Sequence, residues 1–470
     1  SIGEEYLYAA LRRPIASDAE MEERERVITY LLENTQERMY LQEALAEIGK
    51  LERMSVYDHL ELIQDMKPIG ALPHILAGVC LVGALIGCAF APEFMVIASI
   101  AIMGGNIISY YQAKAKVDSY IRLFTFILHM VEQCEGVARK KIPGLEKYQD
   151  QLKKQTSCFG KYRRFCFLVN GGSGMSGDIM DSLMDYIRIL FHVDLVKMST
   201  MIREAKKYEQ QLRIMYDTIG YLDTMLSTAS CRIMYGEYCV PQLSHQANGK
   251  FAVTEMYHPL IPEGVRNSIT AERSVLLTGS NASGKSTFIK TVALNAILAQ
   301  TLHTVLAENY QASWFCIASS MALRDDILSQ ESYYIVEIRS LKRILDLTRL
   351  SELPVLCFID EVLRGTNTVE RIAASSRILQ AIAEQGGLCF AATHDIELTY
   401  LLEKEYDNYH FEEQVEDDKV TFDYCLHEGR ACTRNAIRLL KMLGYDEKIV
   451  DDANERVALF LKSGNWVSSH

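Results

Sequence analysis

The sequence predicts an α/β domain with a parallel-rich sheet, joined to an all-α region that carries an apolar helical hairpin. Three short apolar runs, SVLLT, PVLCFID and GLCFAA, are separated by helix-like segments in the second half of the chain. Runs of this kind are typical of buried parallel strands that alternate with helices. The first half instead has long stretches with apolar residues at three- and four-residue steps, which is typical of helices.

At about 150 residues per domain, the length of 470 residues indicates about three units. We expect a helical core segment over 1–112 that includes the apolar hairpin 71–111, then a helical lever segment over 113–241. The α/β domain is expected over 242–430, followed by a helical tail over 431–470.

The run TGSNASGKST is the most informative stretch of the chain, because it has the spacing G-x-x-x-x-G-K-S between a strand and a helix. Such a loop closes backbone N–H groups around phosphates, its lysine reaches the β and γ oxygens, and its serine hydroxyl ligates Mg²⁺. The sequence therefore predicts a nucleoside triphosphate site. Its candidate binding residues are Gly279, Ser280, Asn281, Ala282, Ser283, Gly284, Lys285, Ser286 and Thr287.

An acidic pair ends the second apolar run. Asp360 is expected to hold Mg²⁺ together with Ser286, and Glu361 to accept a proton from the attacking water. The alternative is a buried strand that simply ends in two solvated acids. The acidic pair separates a predicted hydrolase from a protein that only binds the nucleotide.

His394 follows the third apolar run. At the carboxyl end of a strand in an α/β sheet, a side chain faces the ligand crevice, so we expect a contact with the γ-phosphate. A purely structural histidine is the alternative.

Together these segments resemble the ATPase domain of the MutS family, the mismatch-recognition ATPases related to the ABC ATPases. FIDEVLRGTNT resembles the family's Walker B segment and AATHDIELT its histidine segment, while the glycine loop holds the place of Walker A. SYYIVEI is similar to a motif whose serine reaches the partner's ATP, which implies that role for Ser332. VRNSI resembles the segment near the adenine, which implies Asn267. The resemblance implies ATP and Mg²⁺ as cofactors and a homodimer, and the absence of an LSGGQ-type run disfavours a transporter subunit.

The resemblance also extends beyond the ATPase domain. Residues 433–457 resemble the helix-turn-helix that closes the family's dimer, and the second helix is too acidic to read DNA. Residues 4–34 and 218–243 resemble parts of the family's helical core and lever. The mismatch-reading domain and the DNA clamp have no counterpart here, so we expect either a fragment or a protein without the reader.

Two apolar runs form the predicted hairpin. Residues 71–91 are twenty-one residues without formal charge, long enough for a hydrocarbon core of about 30 Å, and 94–109 adds sixteen more. Tyr110 and Tyr111 would then lie at the membrane interface, and Gly83 and Gly87 form a G-x-x-x-G that allows close helix approach. This pattern predicts a protein of the cytoplasmic membrane with its ATPase domain in the cytoplasm. The alternative is a buried hairpin in a cytoplasmic protein.

Charge is distributed unevenly. The net charge is −12, yet residues 139–164 contain nine basic residues against two acidic ones, which indicates an anion-binding face. Lipid headgroups and DNA phosphates both fit, and a solvated helix face is the alternative. Aromatic residues among the basic ones would either stack bases or pack into a core. The twelve cysteines include no C-x-x-C, so we expect a reducing cytosol and no zinc.

From these features we expect a MutS-like dimeric ATPase of the DNA mismatch repair type, with double-stranded DNA as a candidate partner. The alternative function is a membrane-tethered, ATP-driven switch that acts on a lipid or protein.

Overall fold

The fold is described from a computed structural model. The structure describes residues 1–51, 55–64, 66, 70–115, 118–160, 186–246, 249–280, 283–321, 333–363, 367–416, 419–431, 437, 440 and 444–464. Two compact units are present, one formed by 1–12 and 23–233 and the other by 13–22 and 234–470. The first unit contains helices and the second contains both strands and helices, so the chain is mixed α/β, as expected. The finer division into four segments stays a prediction.

Helices make up the first unit. In chain order they are α1 Ile2–Leu11, α2 Asp18–Glu33, α3 Thr35–Ile48, α4 Val56–Leu62, α5 Ala71–Gly87, α6 Pro92–Ala115, α7 Asp118–Arg139, α8 Glu146–Thr156, α9 Val193–Lys207 and α10 Glu209–Tyr235. In α7, Leu123, Phe124, Ile127, Met130 and Val131 recur at helical spacing, and all are buried in the core of this unit. The predicted lever segment is broken into α9 and α10 at Tyr208.

The apolar hairpin consists of α5 and α6, which pack against each other along one seam. The twenty-one-residue run is not one helix, because α5 ends at Gly87 and α6 begins at Pro92. Proline at the first position of a helix loses no hydrogen bond, which explains where α6 begins. Of these two helices, α6 is the one long and apolar enough to cross a membrane. The first run was expected to be long enough to span, but α5 is too short to do so.

The predicted G-x-x-x-G does not form one surface. A Cβ on Gly87 would lie 3.0 Å from the Met95 sulfur, so Gly87 faces α6, whereas Gly83 has open space beside it.

The second unit is built on a six-stranded sheet. Its strands are β4 Ser274–Thr278, β6 Cys316–Ser320, β7 Val355–Asp360, β8 Leu388–Ala392, β9 Tyr406–His410 and β12 His427–Glu428, in the spatial order β12-β9-β4-β8-β7-β6. All neighbours are parallel except β12 and β9. A smaller sheet has the order β1-β5-β2-β3, formed by Gln242–Ser244, Asn309–Ser313, Phe251–Met256 and Asn267–Ala271, and β10 Glu413–Glu416 pairs with β11 Lys419–Phe422.

Helices cover both faces of the large sheet. They are α11 Lys285–Leu302, α12 Tyr333–Leu350, α13 Thr368–Glu384 and α14 Ile396–Leu401, and α15 Glu447–Ser463 lies near the end of the chain. Along β4, Val275 and Leu277 belong to one apolar cluster and Leu276 to the other. Because the central strands β4, β7 and β8 are buried on both faces, their sequences are almost continuously apolar rather than alternating.

Candidate functional site

Three predicted functional segments meet at one edge of the large sheet. Leu277 of β4 and Asp360 of β7 both pair with Ala392 of β8, so these strands end at the same level. The glycine loop, the acidic pair and His394 each follow one of these strand ends. In parallel sheets, ligands bind at this carboxyl edge.

The glycine loop connects β4 to α11 through two residues with positive φ, Gly279 at 142° and Gly284 at 108°. A Cβ on Gly279 would lie 2.8 Å from the Phe411 carbonyl oxygen, so only glycine fits there. The N-terminus of α11 opens into the loop, which favours a bound anion. Asn281 and Ala282 lie outside the described residues.

Lys285 lies inside the loop and is only 5% exposed. Its Nζ donates to the carbonyl oxygens of Gly279 at 2.8 Å and Ser280 at 2.6 Å. Burial lowers the pKa of Lys285, while the nearby Glu361 and Asp360 carboxylates act in the opposite direction. The lysine is thus held by carbonyl groups that a phosphate could replace.

Glu361 and His394 contact each other. His394 Nε2 lies 3.0 Å from Glu361 Oε1. Glu361 has a φ of 59°, and Leu363 just after it has a φ of 55°. Two such residues in the left-handed region store strain, and strain of this kind concentrates at functional sites.

Asp360 Oδ1 is buried and has no hydrogen-bond partner among the residues that the structure describes, and the same is true of Ser283 Oγ. Buried oxygens are normally hydrogen-bonded. Carboxylate and hydroxyl oxygens are the ligands that Mg²⁺ takes in phosphate sites, so Asp360 with Ser286 fits this ion and Ser283 fits a phosphate. The donor set therefore suits a metal-bound nucleotide.

A cavity of about 630 Å³ opens beside the loop, which is within the range of small-molecule sites. Its walls include residues that the sequence predicted, namely Ser283, Gly284, Lys285, Ser286, Thr287, Asn267, Glu361 and His394. Val265, Phe411 and Tyr424, which the sequence did not predict, also line it.

Asn267 lines the cavity and also holds another part of its wall. Its side chain donates to the Tyr424 carbonyl oxygen at 3.1 Å and accepts from the Leu426 N–H at 2.7 Å. It therefore holds the segment that carries the Tyr424 ring. Sequence reasoning missed Tyr424, since no local spacing relates it to the loop.

Glu413 is a second residue that the sequence did not reveal. Its Oε2 accepts from the Ser280 hydroxyl at 2.6 Å, and its side chain is buried. Glu337 of the motif SYYIVEI is also buried and accepts from the Leu363 N–H at 2.6 Å, so it supports the turn after the acidic pair. Ser332 of the same motif lies outside the described residues.

The basic segment 139–164 is described as far as residue 160. Arg139 pairs with Glu135 at 3.0 Å, and Lys147 Nζ lies 3.6 Å from Glu23. Tyr148 and Phe159 are buried in the helical core, so these two aromatics pack rather than stack bases.

Residues 275–460 match the family model described as MutS domain V. The DNA mismatch repair protein MutS of Streptococcus sanguinis is 25% identical over 97% of this chain and 58% of its own length. The MutS proteins of Natronomonas pharaonis and Thermus thermophilus are 30% and 28% identical over 50% and 53% of the chain. The chain spans 28% and 30% of their lengths, so it corresponds to part of these relatives.

Proposed function

Because this chain belongs to the MutS family, we propose that it is an ATPase that binds and hydrolyses ATP with Mg²⁺ and works as a homodimer. The observation that supports this most strongly is the convergence of Lys285, Glu361 and His394 on one cavity, with Asp360 close enough to act on the Lys285 charge. A strand that merely ended in solvated acids would not bring together a buried lysine, a histidine and a glutamate with a strained backbone.

The residues divide the chemistry among themselves. Lys285 Nζ exchanges its carbonyl partners for phosphate oxygens, and the loop N–H groups bind the same anion. Asp360 and Ser286 would hold Mg²⁺, which neutralises charge on the phosphates. Glu361 accepts a proton from the attacking water, and His394 orients Glu361 and contacts the γ-phosphate. Ser332 of the partner chain completes the site, by analogy with the family.

The relatives are named for DNA mismatch repair, and on that basis we propose double-stranded DNA as the partner. In this proposal, ATP closes the dimer through the ATPase units and the tail that contains α15, and product release reopens it.

A second candidate function is a membrane-tethered switch, and the exposure of the hairpin favours it. The window of α6 that is apolar enough to cross a membrane is only 17% buried. All of Leu72, Leu76 and Val79 of α5 and Ile97 and Ile100 of α6 are more than half exposed. Glu93 is the one charged residue between Ala71 and Ala113. A hairpin enclosed in a soluble core would leave little of this apolar surface exposed.

ATP hydrolysis by the purified chain and by Glu361→Ala tests the ATPase proposal. The variant is expected to bind ATP normally but to turn it over about 10²- to 10⁴-fold more slowly, because it lacks the general base. Wild-type turnover in Glu361→Ala would contradict the proposal.

Vesicle flotation and a salt-titrated duplex-binding assay separate the two candidate partners. Duplex affinity that falls steeply with salt, without flotation, supports DNA. Flotation without duplex binding supports the tether and contradicts the DNA proposal.

A further inference from the structure

The ion pair between Arg371 and Asp395, the residue directly after His394, has no role in the function proposed above. Arg371 Nε donates to Asp395 Oδ2 at 2.9 Å, and its Nη2 donates to Oδ1 at 2.6 Å. The side chains are 22% and 12% exposed, so both groups are largely removed from water. Two parallel hydrogen bonds between a planar guanidinium and a carboxylate fix orientation as well as distance.

The pair connects two segments of the candidate site. Arg371 is in the first turn of α13, the helix that follows Glu361 along the chain. Asp395 is the residue directly after His394 and the N-cap of α14. A change in the position of either segment would therefore act on the contact between Glu361 and His394.

The Asp395 side chain pairs with Arg371 instead of capping its own helix. An aspartate at an N-cap usually accepts a hydrogen bond from the first turn of its own helix. Here the Asp395 side chain makes no such bond, and both of its oxygens accept from Arg371. The Asp395 N–H also donates to Thr393 Oγ1 at 3.0 Å, so the backbone on both sides of His394 is held.

The His394 side chain has little else to position it. It is 38% exposed, and Glu361 is the hydrogen-bond partner that the described part of the chain provides for it. The direction of the ring is thus set mainly by the backbone between Thr393 and Asp395.

We propose that Arg371 and Asp395 are positioning residues that keep His394 within hydrogen-bond distance of Glu361 during ATP hydrolysis. This role rests on the proposed ATPase function. It assigns neither residue to the bound nucleotide, because neither is among the residues that line the cavity.

Steady-state ATP hydrolysis by Arg371→Gln, Asp395→Asn and the charge-swapped double variant tests the proposal. Each single variant is expected to lower kcat about 10- to 100-fold with little change in KM, since misplacement of a catalytic group by about 1 Å has such an effect. The double variant Arg371→Asp with Asp395→Arg is expected to recover most of the lost kcat. Arg273→Gln is the matched control, because Arg273 pairs with Asp407 at 2.8 Å at the opposite edge of the sheet.

Wild-type kcat in the single variants would overturn the proposal, and so would a rise in KM that matched the fall in kcat. Amide hydrogen exchange of 393–398 without nucleotide separates this outcome from failure of the ATPase function. Faster exchange in Arg371→Gln than in Arg273→Gln is expected even if the wild-type chain proved inactive, and equal exchange would overturn the positioning role.

Discussion

The carboxyl edge of the large sheet and the apolar hairpin depart from the usual distribution of residues in opposite directions. At the sheet edge, Lys285 is 5% exposed and Glu337 is 2% exposed, so charge is buried. In the hairpin, Leu72 is 73% exposed and Phe90 is 86% exposed, so apolar surface faces outward. Buried polar groups and exposed apolar patches are the informative exceptions in a folded protein.

The two regions also differ in how far the chain itself provides partners for these unusual side chains. The loop carbonyls and the nearby carboxylates compensate the Lys285 charge, so the site is organised before any ligand binds. The hairpin has an internal seam, in which Cys88 Sγ lies 3.6 Å from Ser99 Oγ, and its Asn106 donates to the Leu190 carbonyl oxygen at 2.9 Å. Its outer sides, which include Leu72, Val79 and Ile97, are left exposed by the described part of the chain. This contrast separates a site whose charged groups are compensated within the chain from an apolar surface that the described part of the chain leaves uncovered.

The largest effect is expected at Asp360. Its Oδ1 is buried without a hydrogen-bond partner among the described residues, and we predict that it binds the metal ion. Asp360→Asn should lower kcat by about 10²- to 10³-fold, because an amide replaces the charged ligand. ATP hydrolysis measured across a Mg²⁺ titration checks this. Asp407→Asn, at the opposite edge of the sheet, should keep the wild-type rate, and an equal loss in both variants would point to misfolding instead.

The hairpin should respond to charge on its outer sides. Ile100→Lys, near the middle of α6, should weaken binding to vesicles by about 100-fold, since a central lysine costs about 2.5–3.5 kcal/mol in a membrane span. Flotation checks this, with Met39→Lys as the control because Met39 is also an exposed apolar residue, outside the hairpin. If Ile100→Lys floated as the wild type does, the exposed side of α6 would not contact lipid.

Asn267→Ala sharpens the account of the cavity wall. Loss of two hydrogen bonds to the segment that carries Tyr424 should raise KM for ATP about tenfold while kcat changes little. Steady-state kinetics check this, with the exposed Asn309→Ala as a control. A fall in kcat without a change in KM would place Asn267 in the chemical step rather than in the cavity wall.

The smallest effect is expected at Glu23, which forms an ordinary ion pair with Arg26 in the helical unit. Its hydrogen bond from Arg26, then that from Tyr148, lowers the pKa of Glu23 to about 2. A depressed carboxyl pKa stabilises the fold above the unfolded value near 4.5 and loses that contribution as pH falls toward 2. Glu23→Gln should therefore reduce the unfolding free energy by about 1–2 kcal/mol at pH 7, and by much less at pH 2. A pH-independent difference in urea unfolding would contradict this cause.

The site was predictable where local sequence determines it. Two glycines at the required spacing, a continuous apolar strand before Asp360 and another before His394 are all properties of short segments. Glu413, Tyr424 and the pair of Arg371 with Asp395 were not predictable, because each meets its partner through the fold rather than through spacing.

The hairpin shows the limit of composition as a guide. A window of twenty-one apolar residues predicted one span, yet α5 stops at Gly87, where Met95 of α6 packs closely. Pro92 was the local signal for the start of the second helix. Hydropathy located the apolar segment, and the turn chemistry within it determined the lengths of the helices.

Equilibrium dialysis of labelled ATP with Mg²⁺ against the wild-type chain and Lys285→Ala tests the central claim most directly. The account predicts saturable binding to the wild type and binding weaker by roughly 100-fold in Lys285→Ala, which lacks the buried ammonium group that meets the phosphates. The exposed Lys404→Ala should bind as the wild type does. Equal ATP affinity in the wild type and Lys285→Ala would contradict the assignment of this sheet edge as the nucleotide site.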